Sequence, residues 1–302
     1  MNARAKRVLQ GVAAVLGLGL VGAGGFVTLQ VRAFDESMAK VYDVPPMAVE
    51  RSTDAEVLAR GEHVAKGLGG CSSADCHGAD FAGGRPLVMG PLGTFTGPNL
   101  TTKLATYSDG ELARLVRYGV KKDGHSVQFM PVEDFAWMND GDVRALVSYL
   151  RTQRPIERAD GLVKIGVLGK VLDRKGAIVL DVARRQATAK PDLAGQPEPT
   201  AAYGAFIARG CTGCHGKGFS GGPIPGAPKE TPVPLNLTPH ASGLAGWTYE
   251  DFDKLLTTGV RKNGSTLNPF MPIDSYKTMN ETEKRALFAY LSKLEPRPLG
   301  GR

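Results

Sequence analysis

The 302-residue chain is short of several things. It has four cysteines, too few for a disulfide-dense small domain. Aromatic residues make up 7% of the chain, and no basic run is interleaved with them, so no nucleic-acid partner is expected. Long uncharged apolar runs are missing save one, residues 8–31. What is present, 42% hydrophobic and 22% charged residues with 39 glycines and 20 prolines, is the composition of a folded, loop-rich protein rather than a disordered one. At this length two domains are the natural expectation.

The net charge of +7 is not one surface: residues 1–32 carry four bases and no acid, residues 33–150 carry 11 bases against 16 acids, and the remainder is basic. The run 8–31 holds no charge across 24 positions, beyond the ~20 residues a helix needs to cross the hydrocarbon core. Arg4, Lys6 and Arg7 precede it, which predicts a cytoplasmic N-terminus with everything after Arg32 outside the cytoplasmic membrane. Two readings stand. One is a retained single-pass anchor, favoured by length; the other is a cleaved signal peptide, whose apolar core is usually about 7–15 residues.

The body of the sequence repeats itself. Cys76-His77-Gly78 matches Cys214-His215-Gly216, and without a gap Phe81 then meets Phe219 and Gly83-Gly84 meets Gly221-Gly222. Further on, Asn99-Leu100-Thr101 meets Asn236-Leu237-Thr238, Phe129-Met130-Pro131 meets Phe270-Met271-Pro272, and Tyr149-Leu150 meets Tyr290-Leu291. Two copies of about 100 residues indicate a duplicated small domain and exclude a solenoid. In each copy apolar residues recur at helical spacing: Val143, Leu146, Val147 and Leu150, then Leu287, Tyr290, Leu291 and Leu294. Asn139 and Asn280, each followed three residues later by an acid, read as helix N-caps. Shorter helices are expected around Leu112–Val116 and Phe252–Leu256, with loops between and no convincing strand. So few short helices leave a thin core that calls for a large internal cofactor.

Cys211-Thr212-Gly213-Cys214-His215 is a C-x-x-C-H run, the attachment signature of a c-type haem. Two thiols at this spacing add across the vinyl groups of one porphyrin, and the adjacent His reaches the iron. A zinc site needs four ligands, and the second copy offers one further histidine, His240. The first copy reads Cys71-Ser72-Ser73-Ala74-Asp75-Cys76-His77, with two extra residues between the cysteines. A bulged loop still delivers both sulfurs; a single thioether or a Cys71–Cys76 disulfide are the competing readings. Each copy also offers a methionine between Phe and Pro: Met130, 53 residues after His77, and Met271, 56 after His215. These are the expected sixth ligands, giving His/Met coordination at both irons. Met138, Met279 and Met89 read as packing, and His63, His125 and His240 as surface or loop residues. Two closed irons suit electron transfer and not catalysis.

On the C-x4-C-H and C-x-x-C-H motifs, the two N-L-T segments and the two F-M-P segments, residues 55–300 resemble membrane-anchored dihaem proteins built of two class I cytochrome c domains. Such proteins accompany periplasmic alcohol, aldehyde or gluconate dehydrogenases or act as dihaem carriers of respiratory chains. The resemblance implies an all-α fold: a membrane anchor or signal segment (1–32), a tether (33–53), a first cytochrome domain (54–153), a connector (154–199), a second domain (200–296) and a tail (297–302). It implies two covalently attached haem c groups, and places Asn99, Thr101, Asn236 and Thr238 beside the haem edge, ordering the propionates. It also implies redox partners: a dehydrogenase, a quinol-oxidising complex or a terminal oxidase. The haem domains then lie on the periplasmic side of the cytoplasmic membrane. The competing functions are a dihaem peroxidase, which needs an exchangeable distal position on one iron, and a haem-bearing structural subunit. The connector either packs on a haem domain or lies at the membrane surface.

Overall fold

The structure, a computed structural model, describes residues 3–190, 192–225, 227 and 229–302. Positions 1–2 of the N-terminal segment, 191 of the connector, and 226 and 228 of the second repeat lie outside the described residues. The chain is mostly helical. A long helix α1 (Ala3–Met38) leads into α2 (Ala55–His63), α3 (Leu100–Lys103), α4 (Asp109–Tyr118) and α5 (Asp140–Leu150) of the first repeat. The connector holds α6 (Val167–Arg174) and α7 (Ala183–Gln186). The second repeat holds α8 (Ala201–Ile207), α9 (Thr212–His215), α10 (Tyr249–Thr258), α11 (Ile273–Tyr276) and α12 (Glu281–Leu291). Three short antiparallel strands, β1 (Leu87–Val88), β2 (Gly93–Phe95) and β3 (Lys164–Ile165), pair in that order, with Leu87 opposite Phe95 and Gly93 opposite Ile165. They depart from the expected absence of strands. β1 and β2 form a hairpin only two to three residues long, below the length at which alternation is readable, and β3 comes from the connector.

α4, α5, α10 and α12 form where the apolar spacing predicts them, and their ends are set by the same kinds of side chain in both repeats. Ser108 and Thr248 close capping boxes at the starts of α4 and α10, and Gly119 and Gly259, in the left-handed region at φ 67° and 74°, end them. Asn139 and Asn280 cap α5 and α12. α2 crosses α5 at Gly61, where an added Cβ would lie 2.0 Å from the Ala145 carbonyl oxygen; α8 crosses α12 at Gly204, 1.9 Å from that of Ala286. Only glycine permits either approach.

The two repeats share one buried core, to which Val64, Trp137, Leu146, Tyr203, Leu256 and Leu287 all belong. Their contact is reciprocal. The turn Val132–Asp134, just after Met130, packs against Ala208–Cys211; α11, just after Met271, packs against the π-helical turn Val64–Leu68 that leads to Cys71. At the seam the carboxylate of Glu283, fully buried, accepts from Arg60 at 3.0 Å and pairs with His63 at 2.7 Å. Arg60 also holds Asp142 through two hydrogen bonds of 2.7 and 2.9 Å. This explains why Asp142 does not close the box at Asn139 as Glu283 does at Asn280. His63, read from sequence as a surface residue, is therefore a seam residue.

Residues 33–53 are not a tether. Phe34 is buried against Phe95 and Leu180, and Tyr42 against Val120 and Ala183. Ser37 donates to Asp181, and the Met47 amide to the Gly110 carbonyl. α1 thus ends inside the body. The connector packs on the first repeat: Leu180 and Val182 pair with the backbone at Phe129 and Val127, immediately before Met130. α6 also lies along α1.

Burial opposes ionisation of Glu283, but His63 and Arg60 outweigh it and hold its pKa below the usual value. The native state then binds fewer protons here than the unfolded chain. The stabilisation is complete above the unfolded carboxylate pKa, near 4.3, and is lost as pH falls through the lower native value. Glu283→Ala, which strands Arg60 and His63 at the seam, is expected to cost about 3 kcal/mol at neutral pH. Its melting temperature should also lack this component of the acid sensitivity, as thermal melts across the acidic range will show.

Candidate functional site

Both Cys-His motifs sit in tight turns held by backbone bonds. In the second repeat the motif is helical, α9, following the 3-10 turn Ala208–Cys211. In the first, the two extra residues are absorbed in a closed loop. The Cys71 amide bonds to the Ala65 carbonyl, His77 to Cys71, and both Cys76 and Gly78 to Ser73. Gly84 and Gly97 bring their backbones so close to the Cys76 carbonyl that an added Cβ would lie 2.2 and 1.5 Å from it. The bulge is therefore clamped from two sides. In the second repeat the guanidinium of Arg302 does this work, donating to the Cys214 and Gly222 carbonyls at 2.8 Å. Sequence reading missed Arg302 because it lies 88 residues from its partner.

The four cysteines, all partly buried, form no disulfide. Burial pushes the thiols of Cys71 and Cys211 up to about 12. Asp134 of the first repeat adds to the rise at Cys211, after burial, and so reports how near the second motif lies to the Met130 turn. Burial raises Asp134 itself to about 7, with Glu133 contributing.

His77 and His215 are held alike. Nδ1 of His77 lies 3.0 Å from the Pro98 carbonyl oxygen, and Nδ1 of His215 lies 2.7 Å from that of Leu235. Each Nδ1 is thereby assigned the proton, leaving the Nε2 lone pair for a metal. Burial lowers both pKa values, which keeps the rings neutral. That donor set fits a haem iron, and the flanking cysteines fit its covalent attachment. Phe270, Leu235 and Val233 are left exposed around the second motif's partners, apolar surface of the kind a porphyrin covers.

Asn99, Thr101, Asn236 and Thr238 are placed differently from the propionate role implied by resemblance. All four are buried. Asn99 Oδ1 accepts from the amide and hydroxyl of Thr101, and its Nδ2 donates to the Ile156 and Arg158 carbonyls. Thr101 Oγ1 also accepts from the Ile156 amide. Asn236 repeats the pattern with Thr238, Ser242 and the Arg297 carbonyl. Each side-chain donor of these four residues already has a partner within the chain. Their work is to fix the residue before them, Pro98 or Leu235, whose carbonyl orients the histidine.

Met130 is half-buried against the shared core, on a turn where Phe129 takes φ 63° and stacks on Phe95 at 4.2 Å. Met271, also half-buried, lines a shallow pocket with Gly259, Leu267 and Ile273. Phe81 and Phe219, four residues past each histidine, both adopt left-handed φ (57° and 58°) and meet Tyr149 and Tyr290 edge-on.

No protein-family model matches the chain. Individual proteins do. A gluconate 2-dehydrogenase cytochrome c subunit of Pantoea cypripedii is 38% identical over 94 residues, 29% of this chain and 21% of its own length. An alcohol dehydrogenase (quinone) cytochrome c subunit of Gluconacetobacter polyoxogenes is 36% identical over 108 residues, 32% and 23%. The chain is similar to cytochrome c subunits of dehydrogenases. A nicotinate dehydrogenase subunit of Pseudomonas putida is 29% identical over 292 residues, 86% of this chain and 23% of its own length; a match that long takes in both Cys-His motifs. The chain thus spans about a quarter or less of the length of the curated relatives it matches. The resemblance to cytochrome c subunits of dehydrogenases is borne out by these sequences.

The buttress assignment predicts that Asn236→Ala lowers stability by about 3 kcal/mol, because several buried partners lose their hydrogen bonds. The haem-to-protein ratio should not change. Thermal melts and pyridine haemochrome spectra on the same preparation check both; haem loss at unchanged stability would restore the propionate role.

Proposed function

We propose that the chain is an exported, membrane-anchored dihaem cytochrome. Its two tandem cytochrome c units, 54–153 and 200–296, pass single electrons between a periplasmic dehydrogenase and the respiratory chain. The observation that carries this reading is the twin histidine arrangement. In two places one cysteine pair precedes a neutral imidazole whose Nδ1 is spent on a backbone carbonyl. A single such site would suit many metals; two copies, each behind paired thiols, suit haem c.

In this reading His77 and His215 would hold the two irons, Cys71 with Cys76 and Cys211 with Cys214 would bond the porphyrins, and Met130 and Met271 would complete the ligand sets. Haem c at each motif would supply reversible one-electron exchange. The chain's own part is positional. The Pro98 and Leu235 carbonyls point each Nε2 and raise its basicity. The shared apolar core keeps water from Cys71 and Cys211. The reciprocal packing sets each methionine turn against the other repeat's cysteine turn, holding the two sites in fixed relation without a flexible hinge. The relatives are by name cytochrome subunits of dehydrogenases, which favours a carrier subunit over a peroxidase. A partner dehydrogenase and the periplasmic side follow from the same likeness and from α1.

The protein purified from membranes is expected to carry two covalent haems per chain by pyridine haemochrome. Cys211→Ala with Cys214→Ala should leave one, and Cys71→Ala with Cys76→Ala should also leave one. A wild-type ratio of one would remove the first motif from the haem sites and with it the dihaem function.

A further inference from the structure

α1 and α6 lie side by side and antiparallel. Lys170 Nζ bonds Asp35 at 2.6 Å and sits over the Phe34 ring, whereas Lys175 Nζ lies 4.7 Å over the ring of Phe26. Moving from Asp35 back to Phe26 descends nine residues of α1, about 13 Å. α6 therefore runs back toward the membrane and carries the turn 174–177 to the level of the apolar run, which ends only at Val31. Gly176, at φ 75° in the left-handed region, makes that turn, and the Arg185 guanidinium stands beside it, 3.5 Å from where a Cβ on Gly176 would be.

The charges at this level are unbalanced. The nearby acids are already engaged: Asp173 and Asp181 with Arg184, and Asp35 with Lys170. Among the described residues, Arg174, Lys175 and Arg185 take part in no ion pair; of the two exposed acids on this stretch of α1, Asp35 is held by Lys170 and Glu36 stands alone against them. Arg174 and Lys175 end α6, and Arg185, in the last turn of α7, reaches the same turn from a second element.

We propose that Arg174, Lys175 and Arg185 form a binding site for the phosphates of anionic phospholipid headgroups, seating the body on the membrane surface beside its own anchor. This rests on the reading of α1 as a retained membrane helix. Lysine and arginine at this depth keep their stems on apolar surface and place their charge among the headgroups, and the Lys175–Phe26 contact has that form. The site makes the orientation of the body depend on lipid charge as well as on α1.

The test uses the full-length holoprotein in nanodiscs of phosphatidylcholine alone or mixed with phosphatidylglycerol. Ala177, exposed at the turn, is replaced by Cys and labelled with a nitroxide. In the phosphatidylglycerol discs the label should lose several-fold in accessibility to a soluble nickel chelate, and Lys175→Glu with Arg185→Glu should restore it while the haem content and melting temperature hold. Added inorganic phosphate should not reproduce the protection. Equal accessibility in both lipids, or protection that survives the double variant, overturns the proposal while leaving the anchor intact. N-terminal sequencing that finds the membrane-extracted chain cut beyond Phe26 overturns the anchor and the lipid site together.

Discussion

The hydrogen bond from His77 Nδ1 to the Pro98 carbonyl, and its twin from His215 to Leu235, sets what the surrounding structure must do. A carbonyl can orient an imidazole only if its own peptide cannot rotate. That requirement accounts for the buried Asn-Thr pairs, whose side chains bond to each other, to the Thr amide two residues on, and to partners far along the chain. It accounts also for the long reach of those bonds. Asn99 is tied to Ile156 and Arg158 beyond α5, and Asn236 to Arg297 beyond α12, so the end of each repeat locks the carbonyl that serves its beginning. The N-L-T motif is informative about the site through these bonds within the chain.

The second constraint is the seam. Two repeats joined by a 46-residue connector (154–199) are free in principle to sit anywhere relative to one another. Here a fully buried carboxylate, Glu283, meets an arginine and a histidine from the other repeat, and Arg60 reaches Asp142 and the Tyr203 hydroxyl as well. A buried ion pair contributes little net stability against an apolar replacement, but it tolerates few arrangements. Its value in this chain is register: the methionine turn of each repeat is held against the cysteine turn of the other. For a carrier of electrons between two fixed sites, constancy of separation matters more than extra stability.

Much of this was legible in the sequence, and the reasons are physical. α4, α5, α10 and α12 fall where apolar residues recur at helical spacing, and the caps at Asn139 and Asn280 are local in sequence. The duplication shows itself because each repeat needs the same turns in the same places. What was illegible is what depends on distant partners. His63 looks like a lone surface histidine because its partner is 220 residues away. Residues 33–53 look like a tether because Pro45-Pro46 suggests a stiff linker, yet the burial of Phe34 and Tyr42 pins the segment to the body while most of its other residues stay exposed. Propionate contacts for Asn99 and Asn236 came from likeness, and the hydrogen-bond inventory of the folded chain reassigns them.

The buried end of α1 bears on the proposed anchor in a way that composition does not. A membrane helix followed by a flexible linker fixes only the distance of a domain from the bilayer. A helix whose last turns are packed into the domain, with Phe34 buried and Ser37 bonded to Asp181, fixes orientation as well. The Asp181 side chain lies in the connector segment whose backbone pairs with residues 127–129, directly before Met130. The same short stretch of connector therefore touches the anchor on one side and the candidate ligand turn on the other. Under the proposed reading of α1 as a retained anchor, that continuity would let the bilayer define which face of the protein is presented to a partner in the same membrane.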